Sequence, residues 1–205
     1  MKHTKLLYLL ISIVLVFSCS NGKEQVVEIN MSDFSSTDIL ISGSYSDCVR
    51  RYGNPDNVTN AVFRNYQDES SYESDSCKLL HYKMGLFYYW GNDSVSIYSV
   101  NFNKLKSCQI KYKSHILDAN FSIKNAMRCF NAEDSAFTFW DFYDAMCGLD
   151  SSGYELEIPI EGTFCTEYCD FYFGSEHRLK GIYFPPLQNV RHKSEAYGNK
   201  LSNRV

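Results

Sequence analysis

The chain has 205 residues, 20 of them basic and 24 acidic, for a formal net charge of −4. A mildly acidic chain without a basic cluster argues against nucleic acid and against electrostatic binding to anionic lipid. The length suits one ordinary domain or two small ones, and an aromatic content of 16% suits pleated sheets, where rings pack across strands.

Lys2 and Lys5 precede an apolar run over residues 6–17, broken only by Tyr8 and Ser12. The run is too short to span a bilayer and reads as the core of a signal peptide over residues 1–18. Val16-Phe17-Ser18-Cys19 closes it. This resembles a bacterial lipobox, in which an aliphatic and a small residue precede the cysteine that is acylated and becomes the new N-terminus. Phe17 is larger than the usual occupant. The resemblance implies lipidation at Cys19 and a Gram-negative envelope protein held on the outer membrane. Buried acyl methylenes contribute about 0.8 kcal/mol each, so a multiply acylated terminus stays in place. Cleavage leaves 18 basic against 24 acidic residues. Residues 19–36 are polar and short on aromatics, and are expected to form a flexible tether.

Beyond the tether, two stretches match at offsets between 77 and 83 residues. Ile39-Leu40 precedes Ser44-Tyr45-Ser46-Asp47, and Ile116-Leu117 precedes Ser122-Ile123-Lys124-Asn125. Ser44 and Ser122 are expected N-caps, Ser44 with Asp47 in a near capping box. Tyr45, Cys48, Val49 and Tyr52 form one apolar stripe, and Ile123, Ala126, Met127 and Phe130 the other. Gly53-Asn54-Pro55-Asp56 ends the first helix, and the second ends at Asn131. Strands are expected over 58–63, 79–83, 86–90 and 95–102, with residues 65–76 as a polar loop. In the second copy they are expected over 137–143, 154–160, 163–168, 170–173 and 179–184, with a turn over 148–153 and Pro159 marking an edge. Residues 108–112 alternate like a strand bridging the copies.

The ordered matches predict an α+β fold of two tandem helix-plus-antiparallel-sheet repeats, 37–113 and 114–187, packed as one two-layer unit. Residues 188–205 lack an apolar pattern and read as a tail. Tyr52-Gly53-Asn54-Pro55-Asp56 and Tyr89-Trp90-Gly91 carry a family resemblance. They are similar to the small outer-membrane lipoproteins of the SmpA/BamE type and to the tandem repeats of β-lactamase-inhibitor-protein-like (BLIP-like) folds, over roughly residues 39–187. The second copy has Phe130-Asn131-Ala132-Glu133 in place of the Gly-Pro turn. The resemblance implies a two-layer module whose open sheet face binds proteins.

An exported chain with cysteines at 48, 77, 108, 129, 147, 165 and 169 is expected to bridge most of them. The candidates are Cys48, Cys77, Cys108, Cys129, Cys147, Cys165 and Cys169; seven is odd, and sequence does not fix the pairing. Cys165 and Cys169 have a C-x3-C spacing, but no second close Cys or His pair makes a zinc site, so no metal or cofactor is expected. His81, His115, His177 and His192 are widely spaced, and neither a zinc-protease helix, a nucleophile elbow nor a phosphate loop is present. Any cysteine could serve as a nucleophile, yet in an exported chain a structural role is the better reading. Glu155, Glu157 and Glu161 alternate as a solvated strand face, which could also meet a basic partner. Asp93-Ser94-Val95 and Asp134-Ser135-Ala136 resemble an envelope O-glycosylation signal.

Tyr88, Trp90, Phe171 and Phe173 are expected to face the helices. Tyr89, Tyr172 and Tyr183 would then lie on the far face, where aromatics mark either an interaction surface or packing under loops. The expected function is a non-catalytic envelope lipoprotein that binds a protein partner, as an immunity or inhibitor protein does against a toxin or enzyme. The alternatives are an accessory subunit of an outer-membrane machine and an unrecognised hydrolase.

Overall fold

The computed structural model describes residues 27–68, 71–91, 93–144, 149–161 and 168–185. The strands are β1 (Phe34–Ser35), β2 (Ser42–Ser44), β3 (Asn57–Asp68), β4 (Ser71–Tyr82), β5 (Leu86–Gly91), β6 (Ser94–Asn101), β7 (Ile110–Tyr112), β8 (His115–Leu117), β9 (Phe137–Asp144), β10 (Leu149–Pro159), β11 (Tyr168–Gly174) and β12 (Leu179–Tyr183). The two α-helices among the described residues are α1 (Tyr45–Tyr52) and α2 (Ile123–Phe130).

The expected α+β fold of two helix-plus-sheet repeats is corrected by this element count. The molecule is mostly antiparallel β. One nine-stranded sheet runs β3-β4-β5-β6-β12-β11-β10-β9, with β2 paired to β6, and a second sheet runs β1-β7-β8. Two helices of eight residues each are too short to form a covering layer, so they plug one face of a sheet that dominates the fold. Each helix is followed by four antiparallel strands, and the last strand of each set pairs with the other: Gly181 faces Asn101, Ile182 faces Val100 and Tyr183 faces Ser99.

Local chemistry explains the helices. Ser44 Oγ accepts from Asp47 N–H and Asp47 Oδ2 accepts from Ser44 N–H, both at 3.1 Å, closing a capping box. Gly53, at φ +79°, ends α1, and its N–H donates to Val49 O. In α2, Ser122 Oγ accepts from Asn125 N–H, and Asn131 takes the left-handed position at φ +51°. Asparagine tolerates that conformation, which is how the second helix stops without Gly-Pro.

The core lies between the large sheet and the layer made by the helices and small sheet. Tyr45 stacks on Trp90 at 4.2 Å. Tyr52 meets Tyr82 and Tyr88, and Phe130 meets Tyr112 and Phe171. Phe34 of β1 packs on Phe184 at 5.2 Å. Ile29, Met31 and Phe34 are buried, so part of the segment read as a tether enters the core, and Ile29 bridges Ile160 in parallel. Residues 1–18 and 188–205 lie outside the described residues.

Two further expectations are corrected. The polar loop over 65–76 is instead the end of a β3–β4 hairpin whose pairing runs on from Asn57–His81 to Asp68–Ser71. Backbone pairing can hold an antiparallel ribbon together without an apolar pattern. Pro159 does not put β10 on an edge of the sheet, since β10 lies between β9 and β11, but the β9 ladder ends at Leu156 and Pro159, the last residue, is laddered with β11 alone. Its missing N–H therefore falls at a strand end.

Candidate functional site

Pleating turns alternate residues of each strand to the face away from the helices. On that far face the ladder sets Glu157, Asp170, Tyr183, Ser99, Phe87 and His81 in one row across β10, β11, β12, β6, β5 and β4. The β5–β6 register slips between Phe87 and Tyr88, so Tyr98 is an additional residue on β6. Such a bulge re-aims a side chain, and it brings Tyr98 between Tyr89 and Tyr183. The rings meet edge to face at 4.7 Å (Tyr89–Tyr98) and 5.0 Å (Tyr98–Tyr183). Cys77, Leu79 and Phe87 join them, so among the described residues the cluster draws on β4, β5, β6 and β12.

The expected sidedness holds: Tyr88, Phe171 and Phe173 are in the main core, and Trp90 packs against it. Accessibility differs. Tyr89 is 2% exposed and Tyr98 is 9% exposed, whereas Tyr172 and Tyr183 are half-buried. Tyr89 thus supports the face from beneath and is not a contact residue.

Beside the tyrosines lies a carboxylate group. Glu155 and Glu157 share a face of β10; Tyr172 stands opposite Glu155 and Asp170 opposite Glu157. One oxygen from each of Glu155, Glu157 and Asp170 falls within 4.8 Å of the others. None of the three is in an ion pair with a basic residue among the described residues. Asp170 Oδ1 is buried without a hydrogen-bond partner there. Burial, followed by the charges of Glu155 and Glu157, pushes the Asp170 carboxyl up to about 8. Burial also raises Glu155, as does the Glu157 charge, while a hydrogen bond from Tyr172 opposes the change. Three carboxyls this close together cannot all ionise freely. The group can share a proton, receive a lysine or arginine from a partner, or by donor type take a hard divalent cation.

Sequence reasoning singled out Glu155, Glu157 and Glu161 and missed Asp170, which only the β10–β11 register brings in. Glu161 lies past the end of β10, where its Oε2 accepts from Asn30 Nδ2 at 3.2 Å. Cys19, Cys147, Cys165 and His192 lie outside the described residues. Cys48, Cys108 and Cys129 carry thiols. Burial raises Cys48, whose Sγ lies 3.4 Å from Tyr82 Oη, and pushes Cys108 and Cys129 up to about 11. With their thiols raised by burial, these three suit core packing better than nucleophilic attack. Cys77 is buried in the tyrosine cluster and Cys169 in the main core. His81 contacts Thr59 Oγ1 at 2.8 Å and the Phe87 ring at 4.8 Å, and burial lowers it. Ser94 Oγ donates to Gly91 O and Ser135 Oγ to Glu133 Oε2; both serines are exposed.

No protein-family model, curated protein or solved structure matches the chain.

Proposed function

We propose that the mature chain is a non-catalytic, lipid-anchored envelope protein that binds another protein through the far sheet face, as an immunity or inhibitor protein does. The observation that carries this reading is the junction of half-buried Tyr172 and Tyr183 with Glu155, Glu157 and Asp170. Tyrosine offers large, rigid contact area at low entropic cost and is enriched where binding energy concentrates. The carboxylates supply a charge preference. A partner that places lysine or arginine against them relieves their mutual repulsion, so the expected partner presents a basic surface. The lipobox resemblance at Cys19 supports the anchor.

Tagged protein purified from membranes provides the test. The partner identified by mass spectrometry should be held by the wild type. It should be released by salt and lost from Tyr172→Ala and from Glu155→Gln/Glu157→Gln/Asp170→Asn, while denaturation shows both variants folded. A partner retained by both folded variants would refute the face, and the absence of any partner would refute the function.

A further inference from the structure

Away from the tyrosine and carboxylate face, α2 and the turn between β11 and β12 enclose an open groove of about 690 Å3. Helical spacing builds one wall. Ile123 and Met127, four apart, are half-buried and give an apolar floor; Lys124 and Arg128, also four apart, are exposed beside them. His177 and Arg178 build the other wall.

The walls are fastened together. Ile123 N–H donates to His177 O at 3.1 Å, and Leu179 N–H donates to Phe121 O at 2.8 Å. Ser122 and Arg178 form an antiparallel bridge, and Arg178 Nη1 donates to Asn120 O. His177 is held at φ +62° with its ring against Tyr154 at 5.1 Å. The groove is therefore a fixed shape between two tied elements.

Its charge is one-sided. Lys124, Arg128 and Arg178 form no ion pair among the described residues, and Glu176, the one acid on the lining, is engaged by Lys180. In a chain of net charge −4, this sets three cations around one groove, Lys124 and Arg128 on the α2 wall and Arg178 on the other. Guanidinium forks match the oxygens of a phosphate, a lysine adds a point charge, and the apolar floor accommodates an aliphatic or ring portion.

We propose that this groove binds a phosphate group borne on a partly apolar molecule, through Lys124, Arg128 and Arg178. Two sources share that chemistry: the headgroup of an anionic phospholipid and a soluble phosphorylated compound. The full chain carrying Cys19→Ser separates them without interference from an acyl anchor. Calorimetry with inorganic pyrophosphate reads the soluble arm. Cosedimentation with phosphatidylglycerol–phosphatidylcholine vesicles, against phosphatidylcholine alone, reads the lipid arm. Lys124→Gln/Arg128→Gln should weaken whichever binding is found at least tenfold. Lys104→Gln/Lys106→Gln, which changes net charge equally outside the groove, should leave it within twofold. Arg178→Lys should weaken it several-fold, since charge without the fork fits phosphate less well. Binding in neither arm, or equal losses from the groove pair and the outside pair, would overturn the proposal.

Discussion

Asp170→Asn tests the electrostatics of the far face directly. The carboxyl rises from its ordinary 3.8 to about 8 because burial and two neighbouring glutamates disfavour its charge. A group raised on folding stabilises fully below its unfolded value, and that contribution is lost as pH rises through the folded value. Wild-type stability should therefore fall between pH 4 and pH 8. At about 1.4 kcal/mol per pH unit, the ceiling on this loss is about 6 kcal/mol. Asp170 is only partly buried and its charge is coupled to those of Glu155 and Glu157, so the measurable change is on the order of 2–3 kcal/mol. Asparagine keeps the neutral shape at every pH. The variant should match the wild type within about 0.5 kcal/mol at pH 5 and exceed it by about 2 kcal/mol at pH 8. Urea denaturation at pH 5, 6, 7 and 8 gives both curves. A wild-type stability that stays flat or rises over that range, or a variant with an unchanged slope, would refute the reasoning.

Ser44→Ala should lower stability by about 1 kcal/mol by opening the α1 capping box, read as a lower urea midpoint at constant slope. Tyr89→Ala should cost about 3–5 kcal/mol, because it empties a buried aromatic site, whereas Tyr172→Ala should cost about 1 kcal/mol or less, as expected of a partly exposed ring. Equal costs from the two denaturation curves would contradict the burial difference. Cys19→Ala should abolish incorporation of a clickable palmitate analogue in cells, and labelling equal to wild type would dismiss the anchor.

Signals confined to a few neighbouring residues were legible in the sequence. Ser44 and Ser122 with their side chains cap the helices, Asn131 ends the second, and the strands over 86–91, 94–101 and 179–183 stand within a residue or two of their expected limits. Each is set by spacing within one turn or one strand. What depended on pairing was not legible. The polar run of β3 and β4 gives no period, yet its backbone ladders throughout. The helices read as a layer because their stripes are apolar; nothing in the stripes tells how many strands share one sheet. Of the candidate site, Glu155 and Glu157 were visible as alternating acids, but Asp170 joined them only through a register 13 residues away. The burial of Tyr89 needed the β6 bulge that carries Tyr98 over it.

The seam where β6 meets β12 has a kinetic consequence. It pairs residues 99–101 with residues 181–183, roughly 80 positions apart, whereas the other pairings of the large sheet, β2 with β6 excepted, join strands consecutive in sequence. Closing so long a loop costs entropy before any rung rewards it, so the halves can ladder early while the seam waits. Until it closes, each half shows an open edge that its own continuation should fill, and the matching edge of a second chain is an equally good template. Chains held close together meet that alternative at high local concentration, so exchange of halves between neighbouring chains is the misassembly expected of this fold.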